Sequence, residues 1–513
     1  MIESEYLLAV SPVALTDPMV TTSQLQKFVR RRPSRVDRMM IFMFGVRKGV
    51  CCRLRDRATI GLIAIVLLGT IGIPAAAATM PPCSKVWASP TSGDWADPSK
   101  WSGGTIPSAS DDVCIDAAGL FQVTVHQPTT VNSLAVGGTS GKATLTLLAT
   151  KLGAVSLDAA SALIAPNGVL RLTSMGASTV SEFASTGILT VDGQVSVDRG
   201  SGGGRILAAN TANRGTISIN QPTDAGGDFA FDNAGVLVVS GRASLDWRAG
   251  DFTNNIGGAI QSGRYRKGTH DGAVFLTGGI IHQGDGTTSG SHPLIGYSST
   301  TIDYTGTGTS TVIARGPIGS ITGNPSSQQT LAIEGSNDGG NAMRSLAGDL
   351  VNFATIITTS EATHASALDL NGFKFTNANT FSVKTTTVSA SAIFGPGTFL
   401  NSGLVSIDAR SSLNTDASVM FVQDPTGTLV FGVMGKQEYG RLISSGTIVV
   451  GGTVAGLLGG QPLFNPVNGA SFDTIHSATL IGTFNSTVPG DAGNGRVFLP
   501  AYSPTTVTLT ATV

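Results

Sequence analysis

The chain has 513 residues, of which 66 are glycine, and only 13% are charged, which is roughly half the usual fraction. Hydrophobic residues make up 41%, so the chain is not a disordered polyelectrolyte, and its glycines lack the three-residue period of collagen. Residues 1–78 hold 11 of the 32 Lys and Arg residues and 5 of the 33 Asp and Glu residues, so residues 79–513 carry a net charge of −7. This weakly acidic remainder gives no indication of nucleic-acid binding.

An export signal is predicted at the N-terminus. A basic region that ends at Arg57 is followed by an uncharged, largely apolar run from Ala58 to Ala78, with Pro74 and four alanines at its end. We therefore interpret residues 1–78 as an upstream segment and a signal peptide that is cleaved after Ala78. An uncleaved membrane anchor is the alternative, because the run is long enough to span a bilayer, but Pro74 and the alanines favour cleavage.

Four cysteines are present, and two of them, Cys51 and Cys52, lie in the signal region. Cys83 and Cys114 remain as a pair in a chain that we expect to be exported, so we predict a disulfide between them. The bond would close a loop of about 30 residues and contribute roughly 3–4 kcal/mol through loop entropy.

Residues 79–119 contain three of the four tryptophans of the chain, Trp87, Trp95 and Trp101. The region precedes the strand repeats described next, and the exposed first coil of a stack of such repeats needs a cover. Large aromatic side chains and one disulfide suit this role, so we predict an N-terminal cap. A sugar-stacking site is the alternative interpretation of the three tryptophans.

From residue 120 to residue 430, short segments alternate between apolar and polar residues, which is the pattern of strands. Thr216–Ile219 and Val236–Val239 are examples, and no amphipathic helix of ten or more residues is evident after the signal. Many of the segments follow an Asn or Ser, a spacer and a Gly, as at residues 213–215. We call this the Asn/Gly motif, and it recurs about every 20–25 residues.

A strand repeat of this period without helices is typical of a β-solenoid. We predict an all-β, single-stranded parallel β-helix, right-handed by the general rule for parallel crossovers, with roughly 12–15 coils at ~4.8 Å per coil. Asn and Gly are expected at its corners, where the backbone visits left-handed conformations. A β-sandwich array would need a super-period of about 100 residues, and a β-propeller would need blades of about 40–50 residues; neither is present.

Residues 431–513 are predicted to be a β segment that closes the solenoid. At the other end, the order W…G-x-W…W-x-G-G-x-x-P begins at Trp87, ends at Pro107 and stands before the strands that follow the Asn/Gly motifs. Together these features resemble secreted bacterial β-solenoid proteins of the adhesin and autotransporter-passenger type. The resemblance covers nearly all of residues 83–513 and implies a solenoid architecture and a secreted or surface location more than any activity.

Few residues indicate catalytic chemistry. The densest group of histidines is His270 with His282 and His292 downstream, and we interpret these as polar loop residues rather than a metal or acid–base site. Polysaccharide lyases and hydrolases on parallel β-helices use grouped carboxylates, whereas the candidate acids of this chain are isolated in sequence. These acids are Asp246, Asp251, Asp303 and Asp369. We assign no catalytic residue, no metal ligand and no cofactor.

One basic cluster stands out after the signal region. It consists of Arg264, Arg266 and Lys267 around Tyr265. Such a cluster either binds an acidic glycan or is a solvated loop, and we retain its four residues as candidate ligand contacts.

Two hypotheses of function follow. The favoured one is a secreted or cell-surface β-solenoid with a structural and adhesive, non-enzymatic role, whose partners are polysaccharide or cell-surface and matrix components. The alternative is a polysaccharide lyase or hydrolase on the same scaffold, which requires two carboxylates, or a carboxylate and an arginine, to converge on one exposed face. No nucleic-acid partner is expected, and contact with a membrane is expected only through the signal segment.

Overall fold

The computed structural model describes residues 82–266, 271–361, 363–385, 390–487 and 495–513, so the predicted signal region lies outside the described residues. Within these ranges the chain forms 46 strands and two 3-10 helices, Pro98–Lys100 and Ser102–Gly104. No helix in these ranges has the length and apolar character needed to cross a bilayer. The predicted all-β fold is confirmed.

The strands stack into a parallel β-solenoid of about 15 coils, as predicted. A full coil passes through three positions in order, which we call face 1, face 2 and face 3, and a strand pairs in parallel with the strands at the same face of the neighbouring coils. In the early coils one long strand bends across faces 1 and 2, and later coils divide it in two. The long strands are Thr129–Val136, Val155–Ile164, Ser181–Val191 and Arg205–Asn213.

The remaining strands belong to single faces. Face 1 contains Thr223–Asp228, Ser244–Arg248, Ala273–Thr277, Leu294–Gly296, Ser310–Ala314, Gln329–Gly335, Thr355–Ser360, Thr380–Thr385, Leu404–Ile407, Thr428–Val433, Thr453–Leu458 and Ser486–Thr487. Face 2 contains Lys85–Val86, Asp112–Ile115, Phe231–Asn233, Asp251–Asn254, Ile280–Gln283, Thr300–Tyr304, Gly319–Gly323, Ala342–Leu346, Ser366–Asp369, Ser391–Phe394, Ser412–Thr415, Arg441–Ser444 and Ser471–His476.

Face 3 consists of a nine-stranded sheet followed by a six-stranded sheet. The nine strands are Gly93–Asp94, Gly119–Val125, Gly141–Ala149, Gly168–Ser174, Gln194–Val197, Thr216–Ile219, Val236–Val239, Ala259–Ser262 and Thr287–Ser289. The six strands are Leu350–Asn352, Lys374–Asn377, Gly397–Asn401, Val419–Gln423, Thr447–Val450 and Thr479–Gly482.

The core is formed by ladders of like residues from successive coils. Alternation directs every second side chain of a strand inward, and in Thr216–Ile219 the second and fourth residues are accordingly fully buried. The rings of Phe375, Phe399 and Phe421 stack in the same way, with centroids 5.0 and 5.2 Å apart. One coil alone could not bury these rings, so the core exists only because the coils stack.

Amide side chains form two buried hydrogen-bonded ladders at the corners of the solenoid. The amide of Asn213 donates to the Asn233 side chain at 2.8 Å, and the amide of Asn233 donates to the Asn254 side chain at 3.0 Å. The second ladder consists of Asn352, Asn377, Asn401 and Gln423. The first ladder lies between faces 2 and 3, whereas the second lies between faces 3 and 1, so the same kind of motif occupies two different corners.

The glycines of the Asn/Gly motifs allow close approach between coils. A Cβ atom on Gly215 would lie 2.1 Å from the carbonyl oxygen of Gly193, and one on Gly235 would lie 2.4 Å from that of Gly215. Neither Gly215 nor Gly235 has a positive φ, so the left-handed conformation that we expected at the corners does not explain them. It does explain Gly257, which has a φ of 84°.

Both ends of the solenoid are covered. At the N-terminal end Cys83 and Cys114 form the predicted disulfide, with a Cα–Cα distance of 5.7 Å. At the other end Val497–Tyr502 and Thr506–Thr512 form an antiparallel pair, and the second of these strands also pairs antiparallel with Ser471–His476. This change to antiparallel pairing ends the parallel stack, which limits the strand edge open to further pairing.

Candidate functional site

The three cap tryptophans pack against each other. Their exposed fractions are 1% for Trp87, 4% for Trp95 and 2% for Trp101, and the ring of Trp101 lies edge-on to both others at 4.9 and 4.7 Å. The indole N–H of Trp101 donates to the carbonyl oxygen of Trp95 at 2.8 Å, and that of Trp87 donates to Thr91. Because the rings are buried, they are suited to cap the solenoid and offer no open face to a sugar.

The four candidate acids lie on three coils that are at least two coil steps apart. Asp246 and Asp251 belong to one coil, Asp303 lies two coils further on, and Asp369 three coils beyond that. The axial separations are therefore roughly 10 and 14 Å at ~4.8 Å per coil. Glycosidase carboxyl groups are about 5–9.5 Å apart, so Asp303 and Asp369 do not form such a pair with each other or with the first two acids.

The histidines are also separated. His282 contacts Asp303 on face 2, with 2.9 Å between Nδ1 and Oδ2, and His292 lies on the outside of face 1. His270 lies outside the described residues. Among the residues that the structure describes, no group of three or more His, Cys, Asp or Glu residues is arranged to hold a metal ion.

The predicted basic cluster divides between two environments. It follows the face 3 strand Ala259–Ser262, and its side chains alternate, so that Arg264 and Arg266 are exposed while Tyr265 is 8% exposed. The Tyr265 side chain packs over an apolar patch on the outside of face 1, which consists of Ala273, Phe275, Ile295 and Ile313. Lys267 lies outside the described residues. Tyr265 is therefore an anchor of this segment rather than an open ligand contact.

Beneath this segment lies a group of interacting polar side chains that we call the Arg315 cluster: Tyr265, His292, Arg315, Glu334 and Asp338. The Arg315 guanidinium is 1% exposed and donates to the Glu334 carboxylate at 2.8 and 3.1 Å and to the Asp338 carboxylate at 3.1 Å. Its third partner is the Tyr265 hydroxyl, which in turn donates to Asp338 at 2.6 Å. The His292 ring stacks on the Tyr265 ring at 4.4 Å, and its Nε2 lies 3.4 Å from Glu334.

The electrostatics of the Arg315 cluster keep both carboxylates ionised. Burial alone would raise the pKa of Asp338, but the hydrogen bond from Tyr265 and the charge of Arg315 outweigh it and lower that pKa to about 2. Burial also acts to raise the pKa of Glu334, and it is outweighed by the contacts of that carboxylate with His292 and Arg315, so the pKa is lowered. Burial and the hydrogen bond to Asp338 raise the pKa of Tyr265 to about 12. Neither carboxyl group therefore holds a proton to give to a substrate near neutral pH.

The exposed arginines of the basic cluster line a groove with two further arginines from earlier coils. The groove has a volume of about 510 Å³, and we call it the arginine groove. Its lining consists of Arg199, Asn220, Ser240, Gly241, Arg242, Arg264 and Arg266. Sequence reasoning missed Arg199 and Arg242, although their spacing could have revealed them. Arg242 lies 22 residues, or one coil, before Arg264, and Arg199 lies 43 residues, or two coils, before Arg242.

A second cavity, of about 550 Å³, lies beside the N-terminal cap, and we call it the cap cavity. Its lining includes acidic side chains, whereas that of the arginine groove is basic. Asp94, Asp97 and His126 are among its lining residues, and His126 Nε2 lies 3.5 Å from Asp94 Oδ2. Hydrogen bonds from Ser99 lower the pKa of Asp97, so this carboxylate is charged at neutral pH. The cap cavity is thus unsuited to an anionic ligand, whereas the arginine groove attracts one.

The fold defines a parallel β-solenoid closed by an aromatic, disulfide-bonded cap and by an antiparallel pair of strands. No protein-family model matches the chain, and no curated protein matches it either. The function of the chain therefore depends on the side chains that the solenoid presents.

Proposed function

We propose that the chain is a secreted or cell-surface β-solenoid with a structural and adhesive, non-enzymatic role, and that its wall contacts polysaccharide or matrix. The observation that carries this proposal is a threonine ladder on the outside of face 1. Strand register aligns these half-buried threonines on successive coils, interrupted once by Leu404: Thr330, Thr355, Thr380, Thr428 and Thr453. Hydroxyl groups repeated at ~4.8 Å suit many weak contacts with a polymer that is itself repetitive.

Two observations support export of the chain, which this role requires. The sequence predicts a signal segment, and the Cys83–Cys114 disulfide fits a chain that folds in an oxidising compartment. Low charge and capped ends suit a solenoid that remains a single rod. Unlike an open stack, such a solenoid presents little free strand edge for pairing with another chain. We therefore place the mature chain outside the cell or at its surface.

The Arg315 cluster is the observation that favours the alternative, a polysaccharide-active enzyme, because Glu334 and Asp338 converge there on an arginine. Two properties of the cluster make this the weaker proposal. Glu334 is 8% exposed, and Arg315 binds both carboxylates directly. A general acid needs a proton near neutral pH, and these carboxylates are ionised there. A general base needs access to substrate, and these carboxylates are largely buried.

The test uses residues 79–513 with a panel of insoluble and soluble polysaccharides, measuring both retention and release of reducing ends and unsaturated products. We expect retention without release. The ladder variant Thr355→Ala/Thr380→Ala/Thr428→Ala should lose most of this retention, while each single change should weaken it less than about threefold, since each multivalent contact contributes little.

The matched control removes three half-buried hydroxyls from other faces, in the variant Thr253→Ala/Thr376→Ala/Thr398→Ala. It should retain the wild-type behaviour. Release of sugar products that disappears in Glu334→Gln would overturn the proposal in favour of the enzyme, and equal retention by the ladder and control variants would show that face 1 is not the contact surface.

A further inference from the structure

We propose that the arginine groove is a binding site for a polyanionic polysaccharide, with sulfate or carboxylate groups on successive sugars, that lies along the solenoid axis. This inference rests on the proposed adhesive role and names the ligand class for one part of the wall. The geometry of the groove supports it first, since the groove belongs to a corner that repeats from coil to coil.

The corner between faces 3 and 1 is held in register by backbone hydrogen bonds. Asn220 N–H donates to the Val197 carbonyl at 2.9 Å, and Ser240 N–H donates to the Ile219 carbonyl at 2.9 Å. The next coil continues the series, because Gly263 N–H donates to the Val239 carbonyl at 2.8 Å. The arginines attached to this corner therefore span three coil steps, or roughly 14 Å, which is the length of an extended oligosaccharide segment rather than of one small anion.

Three of the four arginines of the groove, Arg199, Arg242 and Arg264, lack acidic partners in the described part of the chain. Within the residues that the structure describes, the side chains of Arg199, Arg242 and Arg264 make no ion pair and no hydrogen bond, and no acid lines the groove. Elsewhere arginine side chains bond to carboxylates, to carbonyls or to an aromatic ring; they include Arg171, Arg205, Arg214, Arg248, Arg315, Arg344, Arg410 and Arg441. Positive side chains placed together without partners repel each other, so their placement favours a ligand that neutralises them.

The side chains of the groove indicate the kind of anion. Guanidinium groups bind carboxylate and sulfate-like oxyanions through two parallel hydrogen bonds, and Asn220 and Ser240 add neutral groups able to bond sugar hydroxyls. Binding of single-stranded nucleic acid would instead require exposed aromatic rings for base stacking. The tyrosine of this segment, Tyr265, is turned away into the Arg315 cluster and is 8% exposed. The groove thus favours a charged glycan over a nucleic acid.

The Arg315 cluster has a positioning role in this site. Tyr265 stands between Arg264 and Arg266, and its hydroxyl bonds to Arg315 and Asp338 on the coils that follow. The backbone N–H of Arg266 also donates to the Asp271 carbonyl at 3.1 Å, just before the face 1 strand Ala273–Thr277. Fixing this segment holds two of the four arginines at the groove, and less conformational freedom is then lost when a ligand binds.

The experiment measures binding of residues 79–513 to dextran sulfate, polygalacturonate and uncharged dextran of similar length, and to an oligodeoxynucleotide, by calorimetry at several salt concentrations. We expect both charged glycans to bind, the dextran to bind at least tenfold more weakly, and the oligonucleotide to bind more weakly than the charged glycans. A difference between dextran sulfate and polygalacturonate identifies whether sulfate or carboxylate is preferred.

The test variant is Arg199→Gln/Arg242→Gln, which changes two exposed residues of the groove. We expect at least a tenfold loss of affinity for the charged glycans and a decrease of about two in the slope of log affinity against log salt. The control is Arg248→Gln/Arg410→Gln, which removes the same charge from side chains that are 64% and 63% exposed and paired with acids. It should bind as the wild type does.

Equal affinities of the test and control variants would overturn the inference, as would tighter binding of the oligonucleotide than of either glycan. Either result would overturn only the arginine groove as a binding site, and the threonine ladder would remain a contact surface. Failure of the adhesive role itself gives a different pattern, in which neither charged nor uncharged polysaccharide is retained by any variant.

Discussion

Replacing Arg315 by methionine tests the energetic role of the buried cluster. The guanidinium is 1% exposed and makes hydrogen bonds to three side chains, two of them carboxylates, while it also lies 4.9 Å from the centre of the Tyr265 ring. Methionine fills a similar volume without charge. It would leave Glu334 and Asp338 without their shared cation in a site from which water is largely excluded, and removal of one partner of a buried ion pair costs about 3–5 kcal/mol.

The loss of stability in Arg315→Met should be confined to the coils around the Arg315 cluster. Coils of a solenoid contact mainly their neighbours, so the middle coils should open at lower denaturant than the rest. Hydrogen exchange followed by mass spectrometry would locate the effect, with faster exchange expected over residues 271–346 and little change near the caps. Urea unfolding of the same variant gives the size of the decrease in the free energy of opening.

A matched control separates burial from ion pairing. Arg410→Met removes an arginine whose guanidinium lies 3.0 Å from Glu438, but the two side chains are 63% and 44% exposed, so the expected cost is about 0–1 kcal/mol. Adding Glu334→Gln and Asp338→Asn to Arg315→Met should recover part of the stability, because no charge is then left buried. If Arg315→Met costs no more than Arg410→Met, or if the added changes recover nothing, the cluster does not hold this region together through its charges.

Three further predictions concern the scaffold. The pKa of Asp338 is lowered from 3.8 to about 2, so ionised Asp338 contributes on the order of 2 kcal/mol to the free energy of unfolding above pH 4, and this contribution is lost as the pH falls toward 2. Urea unfolding at pH 5 and pH 2.5 should therefore show a larger decrease in the free energy of unfolding for the wild type than for Asp338→Asn. The variant Cys83→Ser/Cys114→Ser should lose about 3–4 kcal/mol, with faster hydrogen exchange confined to the first coils; exchange that is unchanged there would contradict a stabilising role for the bond. Gly235→Ala places a Cβ atom 2.4 Å from the Gly215 carbonyl oxygen and should cost about 1–3 kcal/mol, whereas Gly348→Ala, whose Cβ atom would meet nothing within 4 Å, should be neutral; equal melting temperatures for the two variants would refute the close-packing explanation.

The solenoid was predictable because its physical causes are local and repeated. Thr216–Ile219 and Val236–Val239 show the alternation of strands in the sequence, and in the structure they pair residue for residue across one coil. The spacing of the Asn/Gly motifs equals the length of a coil, since each motif marks a corner. The expected left-handed backbone was wrong for Gly215 and Gly235. At these two positions the close approach of the neighbouring coil, and not the φ angle, excludes a side chain.

The corner occupied by the amide ladders was not predictable from the Asn/Gly motif alone. The first ladder continues from Asn254 to Gln283, the last residue of a face 2 strand, and the second begins at Asn352, the last residue of a face 3 strand. Between them the described coils lack a strand on face 3 over residues 290–349, where the two sheets of that face are interrupted. A local motif specifies that a corner is present, but which corner it is depends on how many segments the intervening coils contain.

The Arg315 cluster was hidden for a related reason. Tyr265 meets Arg315 across 50 residues and Asp338 across 73, and these separations combine coils of unequal length with a loop outside face 1. A periodic analysis finds residues that recur at one corner, such as Arg242 and Arg264, but not a contact between a loop and the outer side of a sheet.

The alternation at Arg264, Tyr265 and Arg266 links the buried cluster to the groove. An extended segment presents its odd and even residues to opposite sides, so the side chain that anchors the segment and those that face the groove are necessarily neighbours in sequence. The buried cluster therefore acts on the groove without contacting its ligand, and a change at Arg315 that loosens Tyr265 should also weaken binding of a charged glycan. Because Arg199 and Arg242 belong to the wall itself, that loss should be smaller than the loss from Arg199→Gln/Arg242→Gln.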